Sequence, residues 1–130
     1  MKTKLNSVYV DDQDKALKFY CEILGYIKIK DIPMGEFRWI TVGSKEDLNG
    51  CELVLEPNSN PASKTYQEAL FKQGIPLTAF AVDNLKEEYL RLKNAGVLFT
   101  MEPMEADQVI MAIFNDTCGN LIQIYQEITS

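Results

Sequence analysis

The feature that most constrains the fold is a pattern stated twice. VYVDDQDKALKFYCEILGY stands near the start, and AFAVDNLKEEYLRLKNAGV stands later. Each copy is an apolar strand ending in Val-Asp, an amphipathic helix and a Gly. Val82-Asp83 follows Val10-Asp11 by 72 residues, and Gly96 follows Gly25 by 71. A repeat of that period in a chain of 130 residues predicts two similar modules within one fold, not a long repeat array. Two paired halves are expected to enclose something between them.

The segments between the landmarks fill in the modules. KLNSVYV reads as a strand, and Asp11 or Asp12 caps the helix behind it by accepting its free N–H groups. Ala16, Phe19, Tyr20, Ile23 and Leu24 recur at helical spacing and form one buried stripe. Gly25 closes that helix in the left-handed region. YIKIKDI, FRWITV and ELVLEP then alternate as strands. PNSNPAS is linker-like, and KTYQEALFKQ is a short helix that stops at Gly74. The second pass reads as strand LTAFAV, a helix capped near Asp83 with Leu85, Tyr89 and Leu92 on one face, and the run VLFT. A turn at Glu102-Pro103, the strand VIMAIF, the tight turn NDTCGN and the strand LIQIYQ complete it. The expectation is an α+β fold of two tandem βαβββ modules. Module 1 covers about residues 1–57, a linker and short helix 58–74, and module 2 about 75–130.

Composition limits the function classes. The net charge is −6, which argues against a nucleic-acid partner, since phosphates recruit Lys and Arg. Three cysteines, Cys21, Cys51 and Cys118, have no paired spacing and read as reduced thiols, consistent with a cytoplasmic location. MKTKLNSVYV lacks the apolar region of a signal peptide, and no run approaches the roughly 18 apolar residues of a membrane span. The chain contains no His, which removes Cys–His nucleophilic catalysis.

VDDQDKALKFYCEILGY, ELVLEP, VDNLKEEYLRLKNAGV and NDTCGNLIQIYQ, in that order and spacing, resemble the vicinal oxygen chelate superfamily. Glyoxalase I, bleomycin-resistance proteins, fosfomycin-resistance enzymes and extradiol dioxygenases belong to that superfamily. The resemblance covers essentially the whole chain. It implies paired βαβββ modules curling around a cleft, a homodimer and a small-molecule ligand. It also implies four metal-ligand positions, one on the first and last strand of each module, which fall here on Leu5, Glu52, Leu77 and Gln123. Two of these are Leu, which has no lone pair to give, whereas a catalytic transition metal normally takes three or more protein ligands. The expectation is therefore no metal and no cofactor, with a metal-dependent lyase or dioxygenase of the glyoxalase type as the alternative.

Strand alternation sorts the remaining residues. If Leu5 faces the cleft, Ser7 and Tyr9 do too; Glu52 brings Val54 and Glu56, Leu77 brings Ala79 and Ala81, and Gln123 brings Leu121 and Tyr125. The alternate set (Val8, Val10, Leu53, Leu55, Phe80, Val82, Ile122, Ile124) is apolar and suits a helix-facing core. The expected ligand site is thus Tyr9, Glu52, Glu56, Leu77, Gln123 and Tyr125, with Arg38 or Trp39 at one wall. Glu52 is the principal polar group and the candidate catalytic residue: burial makes it able to take a proton from a carbon acid or to pair with a cation. Its alternative is a solvated or Lys/Arg-paired carboxylate. Arg38 is either its counter-ion or a structural cation. Cys21 and Cys51 read as packing, Cys118 as a turn thiol, and Lys64–Phe71 as a lid or a tie between modules.

Overall fold

The computed structural model describes residues 1–128. The chain divides into two compact units, Met1–Tyr66 and the residues from Gln67 onward. The first holds β1 (Leu5–Val10), α1 (Gln13–Lys18) with a π-helical turn at Phe19–Ile23, β2 (Ile27–Met34), β3 (Phe37–Gly43) and β4 (Glu52–Pro57). α2 (Pro61–Gln73) runs across the boundary. The second holds β5 (Thr78–Ala81), α3 (Leu85–Asn94), β6 (Phe99–Ala106), β7 (Val109–Asn115) and β8 (Leu121–Glu127).

Each unit carries a four-stranded mixed sheet of one topology. The first runs β1-β4-β3-β2 and the second β5-β8-β7-β6. In each, the first and last strands of the module are parallel neighbours and the other pairs are antiparallel. This is the tandem βαβββ fold expected from the repeat.

The repeat also governs the local chemistry. Asp12 accepts from the Lys15 N–H and Asn84 from the Glu87 N–H, so each helix is capped two residues after its Val. Gly25 and Gly96 stand at φ +93° and +92°, which a side chain would resist. Val8, Val10, Ile40, Val42, Leu53 and Leu55 are buried with Ala16, Phe19 and Tyr20 of the first helix. Phe19 and Tyr20 meet edge to face at 5.6 Å. In the second unit Leu85 and Leu92 are buried, Tyr89 packs on Phe99 at 4.7 Å, and Phe99 packs on Phe114 at 5.7 Å. The helix-facing halves of β1, β4 and β8 are thus core, whereas Phe80 and Val82 are only half-buried, and Val54 and Leu121 of the opposite set are buried as well.

Three expectations are corrected. No turn forms at Glu102-Pro103; β6 continues through both residues and turns at Asp107. β6 is an edge strand, and its pairing with β7 skips between Met101 and Met104, so Pro103 forfeits no ladder bond. α2 starts at Pro61, inside the stretch read as linker, because Asn60 accepts from the Ala62 N–H and Pro suits a first helical position. Cys51 is exposed rather than packed: it precedes β4, outside its alternation, and its thiol lies 3.3 Å from the Thr3 carbonyl.

Candidate functional site

The side of the first sheet turned away from α1 carries the residues of interest. Leu5 and Glu52 are register partners, as are Ser7 with Val54 and Tyr9 with Glu56. Leu5 is 48% exposed, whereas Glu52 is only 8% exposed. Burying a carboxylate requires partners, and Glu52 has them. The Thr41 hydroxyl donates to Oε1 at 2.7 Å, and Lys4 Nζ lies 3.7 Å from Oε2. The Glu52 backbone N–H donates to the Lys4 carbonyl at 2.8 Å, which fixes the end of the strand. Thr41 and Lys4 escaped the sequence reading. Thr41 sits two residues from Trp39, so alternation was the available signal; the Lys4 contact crosses strands and had none.

Arg38 and Trp39 separate as neighbours in a strand must. Trp39 leaves β3 on the side of Thr41 and is half-buried, opposite Ile32 in the register. Arg38 points the other way. It forms two hydrogen bonds to Asp31, at 3.0 and 2.7 Å, and a further one to Asp14 of α1. These bonds hold the Asp31 carboxyl below its ordinary value and raise the guanidinium. Arg38 is therefore not the counter-ion of Glu52, because two carboxylates on the helix side engage it; Lys4 takes that place. With Ile32 at 50%, Phe37 at 42% and Met34 at 61% exposure, the open half of this sheet face is strongly apolar around one held carboxylate.

Gln13 is a third residue the sequence reading missed. Its amide donates to the Arg38 carbonyl at 2.6 Å and the Leu55 carbonyl at 3.0 Å, and accepts from the Arg38 N–H at 3.1 Å. It serves backbone groups of both β3 and β4 beyond their paired residues Thr41–Val54 and Val42–Leu53. The side chain thereby ties the Arg38 end of β3 to β4 where paired residues are absent.

At the far end of the same face lies a groove of about 540 Å³, within the first unit. Tyr9, Glu56, Asn60, Ser63 and Tyr66 are among its walls. It brings two of the expected residues, Tyr9 and Glu56, together with Tyr66.

Leu77, Gln123 and Tyr125 belong to the second unit. Gln123 pairs with Ala79 and Tyr125 with Ala81, and both are half-buried on the side of β8 opposite the buried Ile122 and Ile124. The Leu77 N–H donates to the Leu121 carbonyl at 2.9 Å. The turn before β8 is closed by Asp116, which accepts from the N–H groups of Cys118 and Asn120 and from the Asn120 amide. Gln67 of α2 donates to Asn120 Oδ1 at 2.9 Å and to the Cys118 carbonyl at 3.2 Å. Cys118 is fully buried, so its role is packing.

A bound metal fits this chain poorly. Leu5 and Leu77 have no donor atom, and the Glu52 carboxylate is already engaged by Thr41 and Lys4. Among the described residues, no group of three or more His, Cys, Asp or Glu side chains is placed to hold an ion.

The model of the Glyoxalase/Bleomycin resistance protein/Dioxygenase superfamily matches residues 4–124. The chain is 54% identical over 127 residues to the protein YurT of Bacillus subtilis (strain 168), covering 98% of this chain and all of that one. It is 31% identical over 124 residues to a probable lactoylglutathione lyase of Synechocystis sp. (strain ATCC 27184 / PCC 6803 / Kazusa), covering 92% and 90%. Among solved structures it resembles TnmS3, described as an antibiotic binding protein from Streptomyces sp. CB03234. The TM-score is 0.78 and the identity 28%, with 98% of this chain and 96% of that one covered.

Proposed function

This chain belongs to the Glyoxalase/Bleomycin resistance protein/Dioxygenase superfamily, and we infer that it binds a small organic molecule without a metal. The observation that carries this reading is the face of the first sheet turned away from α1. It presents exposed apolar side chains and Trp39 around one buried, hydrogen-bonded carboxylate, Glu52, beside a Leu at a family ligand position. Small-molecule sites combine apolar walls with a few placed polar groups in this way. The likeness to an antibiotic binding protein supports a binding role, of which sequestration of a toxic compound is one form.

In this reading Trp39 and Tyr9 stack on the ligand, and Glu52 accepts a hydrogen bond or takes a proton from it. Thr41 holds Oε1, and the ligand meets Oε2 beside Lys4, whose Nζ lies 3.7 Å from that atom. Leu77, Gln123 and Tyr125 of the second sheet are further contact candidates. The protein works in the cytoplasm as a homodimer, with light scattering of a dilution series as the check; a mass near 14.8 kDa throughout contradicts the dimer.

A metal-dependent lyase is the second reading, favoured by the likeness to a probable lactoylglutathione lyase. Elemental analysis separates the two. Less than about a tenth of an equivalent of Zn, Ni, Mn or Fe per chain is expected. Near one equivalent, lost in Glu52→Ala, establishes the lyase reading instead. A thermal-shift screen of small organic compounds on chelator-treated protein then tests binding, since a ligand of the native state raises the melting temperature by mass action.

A further inference from the structure

We propose that the groove bounded by Tyr9, Glu56 and Tyr66 is a subsite for an organic ammonium group, quaternary or protonated amine. The proposal deepens the binding reading above by naming a ligand class, and rests on it only for there being a ligand. Tyr9 and Glu56 are partners in the parallel β1/β4 register, so their side chains leave adjacent strands about 5 Å apart on one face. Tyr66 lines the same groove from α2 and is 52% exposed. An ammonium group is attracted to tyrosine ring faces and gains further from a neighbouring carboxylate.

The charge pattern supports a cation over other occupants. Among the described residues, Glu56 is the one formally charged residue of the lining, which contains no Lys or Arg. Among the described residues its carboxylate has no hydrogen-bond or ion-pair partner, in contrast to Glu52. Two of the neighbouring polar atoms are engaged locally: Asn60 Oδ1 accepts from the Ala62 N–H, and the Ser63 hydroxyl donates to the Asn60 carbonyl. The net charge of −6 adds long-range attraction for cations. A volume near 540 Å³ leaves room for an ammonium head and several carbons beyond it.

The test compares choline with 3,3-dimethylbutan-1-ol, its neutral carbon isostere, by NMR titration of the full chain at fixed ionic strength. Choline is expected to bind about tenfold or more tightly than the isostere, with shifts centred on Tyr9 and Tyr66. Glu56→Gln and Tyr66→Leu should each weaken choline by about tenfold, while Glu105→Gln, a control on exposed β6, changes it less than about twofold. Among the described residues the Glu56 carboxylate has no partner, and Tyr66 is an exposed helix position, so both variants should fold. Equal affinity for choline and the isostere overturns the proposal, as does a Glu56→Gln effect no larger than that of Glu105→Gln. Failure here leaves the wider reading intact if compounds from the thermal-shift screen still bind Glu56→Gln.

Discussion

At the scale of single residues, the account turns on how one carboxylate is kept buried. Glu52 tolerates its position because Thr41 and Lys4 reach it. Thr41→Val keeps the shape and removes the donor, so Oε1 is stranded; unfolding free energy should fall by about 1–3 kcal/mol in urea titration. Glu52→Gln keeps an acceptor for Thr41 and removes the charge, so stability should change little while ligand binding is lost. The Asp31–Arg38 pair gives a pH prediction. Its hydrogen bonds lower the Asp31 carboxyl in the folded state, so their contribution is present above the unfolded value and is lost as pH falls through the lowered one. Asp31→Asn should therefore lose less stability than the parent between neutral pH and about pH 3, measured as the urea midpoint. Equal acid limbs contradict this. These contacts were the least legible part of the sequence. Alternation indicates which side a residue takes, but not which distant Lys or Asp reaches it, and so the sequence left open whether Arg38 pairs with Glu52 or is a structural cation; Asp31 and Asp14 engage it.

At the scale of elements, legibility followed periodicity. β1, β4 and β8 have an apolar half-set that nothing but a core explains, and the β1/β4 register makes Leu5–Glu52 and Tyr9–Glu56 neighbours. Elements whose limits depend on context were read less well. Pro103 looked like a turn because an edge strand with a skipped register cannot be told from a break without its partner. Two devices hold elements where the ladder does not. Gln13→Ala removes the partner of one N–H and two carbonyls and should cost about 1–3 kcal/mol in unfolding free energy. Gly119 stands at φ +103°, and an added Cβ would lie 2.7 Å from the Gln67 amide nitrogen. Gly119→Ala should then be destabilising by about 1–3 kcal/mol and should perturb α2 as well as the turn, visible as faster amide exchange at both.

At the scale of the whole molecule, duplication decided the fold, and substitution within the duplicated frame decides the function. The same βαβββ topology occurs in both units, down to helix caps two residues after Val10 and Val82. A family frame was therefore legible from four short strings. Ligand identity was not, because it depends on side-chain placement across a face and not on spacing along a strand. The central claim is that this frame binds a small organic molecule with no metal. Trp39 is the only tryptophan and stands on the face that carries Glu52, so its fluorescence reports directly on that face. The deciding measurement is titration of Trp39 fluorescence with a compound selected by thermal shift, in EDTA, for the parent and Glu52→Gln. The account predicts saturable quenching that EDTA leaves unchanged and that weakens at least about tenfold in Glu52→Gln. Quenching that vanishes in EDTA and returns with a divalent metal, or that is the same in both proteins, contradicts it.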